Sequence, residues 1–95
     1  MKVAISVNQA GKIVSHLGKA KLFAIYEKDR DDIKFIEERV TDGNHQNHII
    51  EDIKDCDVVI SGKIGQGMVG SLAEIGIDAM VEDKLDDPVE VLNKI

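Results

Sequence analysis

The stretch DVVISGKIGQGMVGSLAEIGIDAMVE, Asp57 to Glu82, decides the fold. Asp57 to Ile60 is a short β-branched run, and the residues from Ser61 to Gly67 form a glycine-rich turn. A helix is expected near Met68 to Ile75, with Gly76 as its stop, and IDAMVE reads as the next strand. A strand, a turn, a helix and a strand in so few residues make a parallel pair joined by a right-handed crossover. The C-terminal half is therefore α/β.

Upstream, KVAISV (Lys2 to Val7) reads as a strand buried on both faces, followed by the turn Asn8-Gln9-Ala10-Gly11. KIV begins a short second segment, which breaks at Ser15 to Ala20. KLFAIYEK alternates Leu22, Ala24 and Tyr26 against Phe23, Ile25 and Glu27, and DIKFIEERV (Asp32 to Val40) alternates in the same way. With the charged turn Lys28 to Asp31 between them, these segments predict an antiparallel meander. Asp42-Gly43-Asn44 then supplies a turn and a cap for a helix carrying Ile49, Ile50 and Ile53 on one stripe. At the other end Asp87 is a helix cap, Pro88 stands at the first helical position and Glu90 is placed to reach back. The expected fold class is α/β: a three-layer α/β/α arrangement on a mixed five-stranded sheet, with residues 1–95 as a single domain.

Ninety-five residues allow one compact core and are too few for both halves of a dinucleotide-binding Rossmann fold. Eighteen acids against twelve bases give a formal charge of -6, which repels phosphate backbones and anionic lipid. Two Phe, one Tyr and no Trp do not make a stacking platform for single strands. Neither nucleic acid nor membrane is an expected partner. No apolar run approaches a membrane span, and a cytoplasmic location is expected. The single Cys56 has no internal disulfide partner; flanked by Asp55 and Asp57, it reads as a small buried hydrophobe with a raised pKa.

The turn spells Gly65-x-Gly67-x-x-Gly70. Glycine lets an anion approach backbone N–H groups closely, and a helix start adds partial positive charge there. Gly62, Gly65, Gly67 and Gly70 thus form a candidate anion cradle; the plainer reading is that they only allow tight strand-to-helix packing. Glu82 and Asp83, at the end of the following strand, stand roughly where a ribose-binding acid is expected, so a small nucleotide-binding module is one alternative. His16, in the polar break SHLGKA, is either a solvated loop residue or a soft metal ligand, with Lys19 beside it to neutralise an anion. His45 and His48 share a helix face near its start, and His45 lies closer to the cap. Ser6, Ser15, Ser61 and Ser71 form no nucleophile motif with the histidines.

Taken in order, MKVAISV, SHLGKAKLFAIYE, NHQNHIIEDI and DVVISGKIGQGMVGSLAEIGI resemble the small domain of the dinitrogenase iron-molybdenum cofactor biosynthesis family, whose members include NifX, NafY and the C-terminal part of NifB. The resemblance covers nearly the whole chain. It implies a ribonuclease H-like α/β/α fold and a non-catalytic carrier of an iron-sulfur or iron-molybdenum type cluster. It also implies cluster donor and acceptor proteins as partners. Residue by residue, His16 and Gly18 match the family's His-aromatic-Gly element, Lys19 stands at its arginine, His45 matches the later histidine, and Gly62, Gly65 and Gly67 match the glycine loop. His16 and His45 are the implied metal ligands, and Lys63 adds positive charge to the loop. Leu17 replaces the aromatic residue, and Ser61 stands where some members place a glycine or a cysteine. A monomer or weak homodimer is expected. A protein-interaction domain with an empty site is the remaining alternative.

Overall fold

The computed structural model describes residues 1–41, 46–84 and 86–95. Its strands are β1 (Lys2–Ser6), β2 (Leu22–Asp29), β3 (Asp32–Val40), β4 (Val58–Ser61) and β5 (Asp78–Val81). Its helices are α1 (Gln46–Ile53), α2 (Gln66–Glu74) and α3 (Pro88–Lys94), with a short 3-10 turn at Leu17–Lys19. One five-stranded sheet runs in the order β3-β2-β1-β4-β5. β2 is antiparallel to both β1 and β3, and β4 is parallel to both β1 and β5. The sheet is mixed, as expected: the antiparallel meander supplies one half and the crossover unit the other.

Alternation along the strands builds two cores, one on each face. Ala4, Phe23, Ile25 and Val59 pack beneath α1 and α2 with Ile49, Ile53, Met68 and Leu72. Val3, Ile5, Ala24, Val58 and Ile60 point the other way, onto Val91 and Leu92 of α3. β1 and β4 are buried on both sides, which is why KVAISV and DVVI read as continuous apolar runs. This gives three layers and the ribonuclease H-like arrangement that the family resemblance implies.

Local chemistry sets the boundaries. Gly76 has φ +84°, and the N–H groups of Gly76 and Ile77 donate to the carbonyls of Ala73 and Leu72 at 3.1 and 2.9 Å, a complete Schellman stop for α2. Asp87 caps α3 by accepting from the Val89 N–H at 3.0 Å, with Pro88 at the first turn. Glu90, expected to reach back, makes no such bond among the described residues. The KIV segment is reduced to one bridge, Ile13 to Val7, behind a turn in which Asn8 Oδ1 accepts from the N–H groups of Ala10 and Lys12. α2 starts at Gln66, earlier than the apolar stripe suggests, because Gln66 and Gly67 already take helical geometry behind an extended Gly65. The Asp42-Gly43-Asn44 cap lies outside the described residues.

Candidate functional site

β1 and β4 lie side by side and parallel, so their last residues, Ser6 and Ser61, end together. Both side chains are fully buried, and the Ser6 hydroxyl donates to Ser61 Oγ at 2.8 Å. Ser61 Oγ in turn donates to the Val14 carbonyl at 3.3 Å. That carbonyl also accepts from the Gly62 N–H at 2.9 Å, while the Val14 N–H donates to the Ser6 carbonyl at 3.0 Å. One turn further on, the Leu17 N–H donates to the Lys63 carbonyl at 3.0 Å. The His16 loop and the glycine loop are thereby stitched together over the carboxyl ends of two parallel strands, where α/β sheets form ligand crevices.

Gly62 is required by this stitching. A Cβ there would lie 2.8 Å from both the Ser15 Cα and the Val14 carbonyl oxygen, and both are backbone atoms. Its N–H is already spent on Val14, so Gly62 holds the two loops in contact and is not a free donor. Gly65, Gly67 and Gly70 differ: a Cβ at each would meet nothing within 4 Å, and none has a positive φ. Tight packing therefore accounts for the first glycine of the loop and not for the others. Gly65 is the N-cap of α2, where no side chain caps the helix, so partial positive charge stands at an exposed, unshielded helix start.

His16 precedes the 3-10 turn in extended geometry, with an exposed side chain that makes no capping bond. Its neighbour Leu17 is buried in the α1/α2 core and anchors the turn, which leaves His16, Gly18 and Lys19 facing solvent. Leu17 thus serves as a hydrophobic anchor at the aromatic position of the resembled element. Neither Lys19 nor Lys63 has an ion-pair partner among the described residues. His45 lies outside the described residues, directly before α1. Ser61 points inward to Ser6 and Val14, so a ligand role for its side chain is excluded in this arrangement.

The other candidates fall elsewhere. Cys56 is buried at the opposite end of the sheet, where burial, and after it the charge of Asp55, pushes its thiol up to about 11. It is the small hydrophobe expected, with burial outweighing the flanking acids. Among the described residues no three His, Cys, Asp or Glu side chains converge as a metal site. Glu82 follows β5, where its N–H donates to the Ser61 carbonyl at 2.9 Å. Its carboxylate accepts from the Lys84 N–H at 3.1 Å and pairs with Lys94 at 3.6 Å. With Asp83, Lys84 and Asp86 it borders a cleft of about 300 Å³ on the far side of Gly62, an acidic flank opposed to anions. Composition and spacing alone did not single out the Ser6–Ser61 hydroxyl pair; its signal is a serine closing each of two apolar strand runs.

Comparison with known proteins agrees with this architecture. The crystal structure of PH0822 superposes with a TM-score of 0.82 at 19% identity, covering 98% of this chain and 86% of that one. The crystal structure of mj0327 from Methanocaldococcus jannaschii gives a TM-score of 0.70 at 20% identity, covering 98% and 85%. In sequence, the chain is 33% identical over 85 residues to the FeMo cofactor biosynthesis protein NifB of Bradyrhizobium diazoefficiens. That alignment takes in 80% of this chain and 17% of NifB, so the chain spans about a sixth of its relative's length. No described helix is long and apolar enough to cross a membrane. The family model described as dinitrogenase iron-molybdenum cofactor matches residues 1–95. Matched over its whole length, the chain belongs to the dinitrogenase iron-molybdenum cofactor family.

Proposed function

We propose that residues 1–95 act as a single cytoplasmic, non-catalytic carrier domain. Its cargo is an iron-sulfur or iron-molybdenum type cluster, taken from a donor protein and passed to an acceptor during cofactor biosynthesis. The observation that carries this reading is the pairing of an uncapped α2 start, whose glycines 65 and 67 have no packing role, with the His16 loop stitched against it.

A metal-sulfide cluster with acidic ligands is a bulky anion. Backbone N–H groups at Gly65 to Gly67 and the helix start hold such an anion without covalent bonds. Lys19 and Lys63 add long-range attraction to a chain that is otherwise net acidic. His16 supplies one imidazole to a metal atom, and His45 is the proposed second ligand. A ligand set this small suits a carrier, which must release what it binds.

The nucleotide alternative is the weaker reading, because Glu82, one of its two candidate ribose-binding acids, is engaged with Lys84 and Lys94. The test is anaerobic reconstitution with iron and sulfide, read by visible absorption and by iron per chain, for wild type and His16→Ala. The wild type is expected to gain a charge-transfer band, and His16→Ala to hold less iron and lose it faster to a chelator. A colourless wild type with background iron overturns the iron-sulfur form of the proposal and leaves a preassembled iron-molybdenum type cluster as the cargo to test.

A further inference from the structure

β3 is a sheet edge with nine residues, whereas the opposite edge, β5, has four. Short edges resist pairing with other chains; long ones with apolar side chains invite it. On β3, Phe35, Ile36 and Val40 are 52%, 43% and 81% exposed as residues. A β-bulge opposite Ile25 and Tyr26 shifts the register in the middle of the strand.

That bulge sorts the side chains. Asp32 and Lys34 stand opposite Asp29 and Glu27, and Glu37 and Arg39 opposite Ile25 and Phe23, so all four lie on the α1/α2 face. Ile33, Phe35 and Glu38 pair with Lys28, Tyr26 and Ala24 on the α3 face. Directly opposed residues of an antiparallel pair share a face. For two copies of β3 related by a two-fold axis, the bulge therefore allows only registers that pair an odd-numbered with an even-numbered residue across it.

Charge selects among these. Sliding one way sets Lys34 against Arg39, and sliding the other sets Asp32 against Glu37, like against like in both cases. The register between them sets Lys34 against Glu37 and Asp32 against Arg39, opposite charges at each position, and each pair occurs twice by symmetry. It also brings Phe35 against Ile36 at the centre. Lys34 and Asp32 have no side-chain partner among the described residues, whereas Glu37 and Arg39 already pair with each other and Arg39 with Asp55, so a second copy in this register supplies partners for the two open charges by extending that network.

We propose that the protein forms a two-fold dimer in which β3 pairs antiparallel with β3 of a second copy, Lys34 against Glu37 and Asp32 against Arg39, joining the two sheets into one. The glycine loop rises from β4, which β1 and β2 separate from β3, whereas Lys19 of the His16 loop shares a cleft with Val40 at the end of β3. The dimer does not depend on what those loops bind.

The test is sedimentation equilibrium across a wide concentration range for wild type, Lys34→Glu, Glu37→Lys and the double variant, with circular dichroism as a check on folding. Wild type is expected to approach twice the chain mass of 10.4 kDa. Each single variant, which places like charges opposite one another twice, is expected to weaken association by about tenfold or more. The double variant restores attraction and should recover most of the wild-type affinity. A wild type that stays monomeric, single variants that associate as wild type does, or a double variant no tighter than the singles each overturns the proposal.

Discussion

The two ends of the parallel strands use charge in opposite ways. At the amino end, Asp55 receives both Nη groups of Arg39, at 2.6 and 2.9 Å, and the Lys2 ammonium at 3.0 Å. Arg39, reaching across from β3, also donates to Glu37 and to the Asp52 carbonyl, while Asp57 accepts from the Lys2 N–H at 2.8 Å. At the carboxyl end, Lys19, Lys63 and His16 have no such partners among the described residues, and the helix start is uncapped. One end satisfies its charges internally and fastens α1 to the sheet. The other holds its backbone rigidly and leaves donors open, the pattern expected where a ligand completes the set.

The largest effect that would break this contrast is Gly62→Ala. The added methyl meets two backbone atoms at 2.8 Å, and neither has a flexible end to move aside. Either the Val14–Gly62 bond opens or both loops shift, and the expected cost is about 2–4 kcal/mol in urea unfolding. Cargo binding should fall as well, since the His16 loop loses its seat. A neutral Gly62→Ala would mean that the loops are not held together by this contact.

Next comes Asp55→Asn at the amino end. Hydrogen bonds from Arg39 hold the Asp55 carboxyl well below the usual carboxylate range. A carboxyl whose folded pKa is lowered stabilises the fold above its unfolded value, about 3.9, and that contribution is lost as pH falls toward the folded value. Because the Asp55 side chain is 44% exposed, solvent screening reduces the pair to about 1 kcal/mol at neutral pH. Wild-type stability should therefore drop below about pH 4, and the Asn variant should show a shallower acid slope. Equal slopes would place the acid sensitivity elsewhere and remove the amino-end network as a fastening.

Much of the fold was legible because it rests on local signals. Gly76 as a stop, Asp87-Pro88 as a cap and the apolar runs of β1 and β4 need no distant partner to be understood. What was hidden depends on residues far apart in the chain. The alternation of DIKFIEERV is the same whether one face is buried or the strand is an edge; only the order β3-β2-β1-β4-β5 exposes Phe35 and Val40. Arg39 and Asp55 meet through the placement of α1, which no pattern in either segment encodes. The glycine loop gave its location but not its division of labour. Gly62 is distinguished from Gly65 and Gly67 only by Val14 and Ser15, residues far earlier in the chain that the fold brings back against it.

That division of labour yields the smallest expected effect, and its sign is the informative part. Gly67 sits in the first turn of α2 with open space where a Cβ would stand. Alanine is the better helix former, so Gly67→Ala should raise stability by about 0.5 kcal/mol. If the helix start holds an anionic cluster, the same methyl stands over the N–H groups and should weaken cargo retention severalfold in the reconstitution assay. A rise in stability with a loss of binding would mark Gly67 as kept for the ligand at the fold's expense. A rise in stability with binding unchanged would move the cradle away from Gly67 and leave the His16 loop as the part of the carboxyl end that recognises cargo.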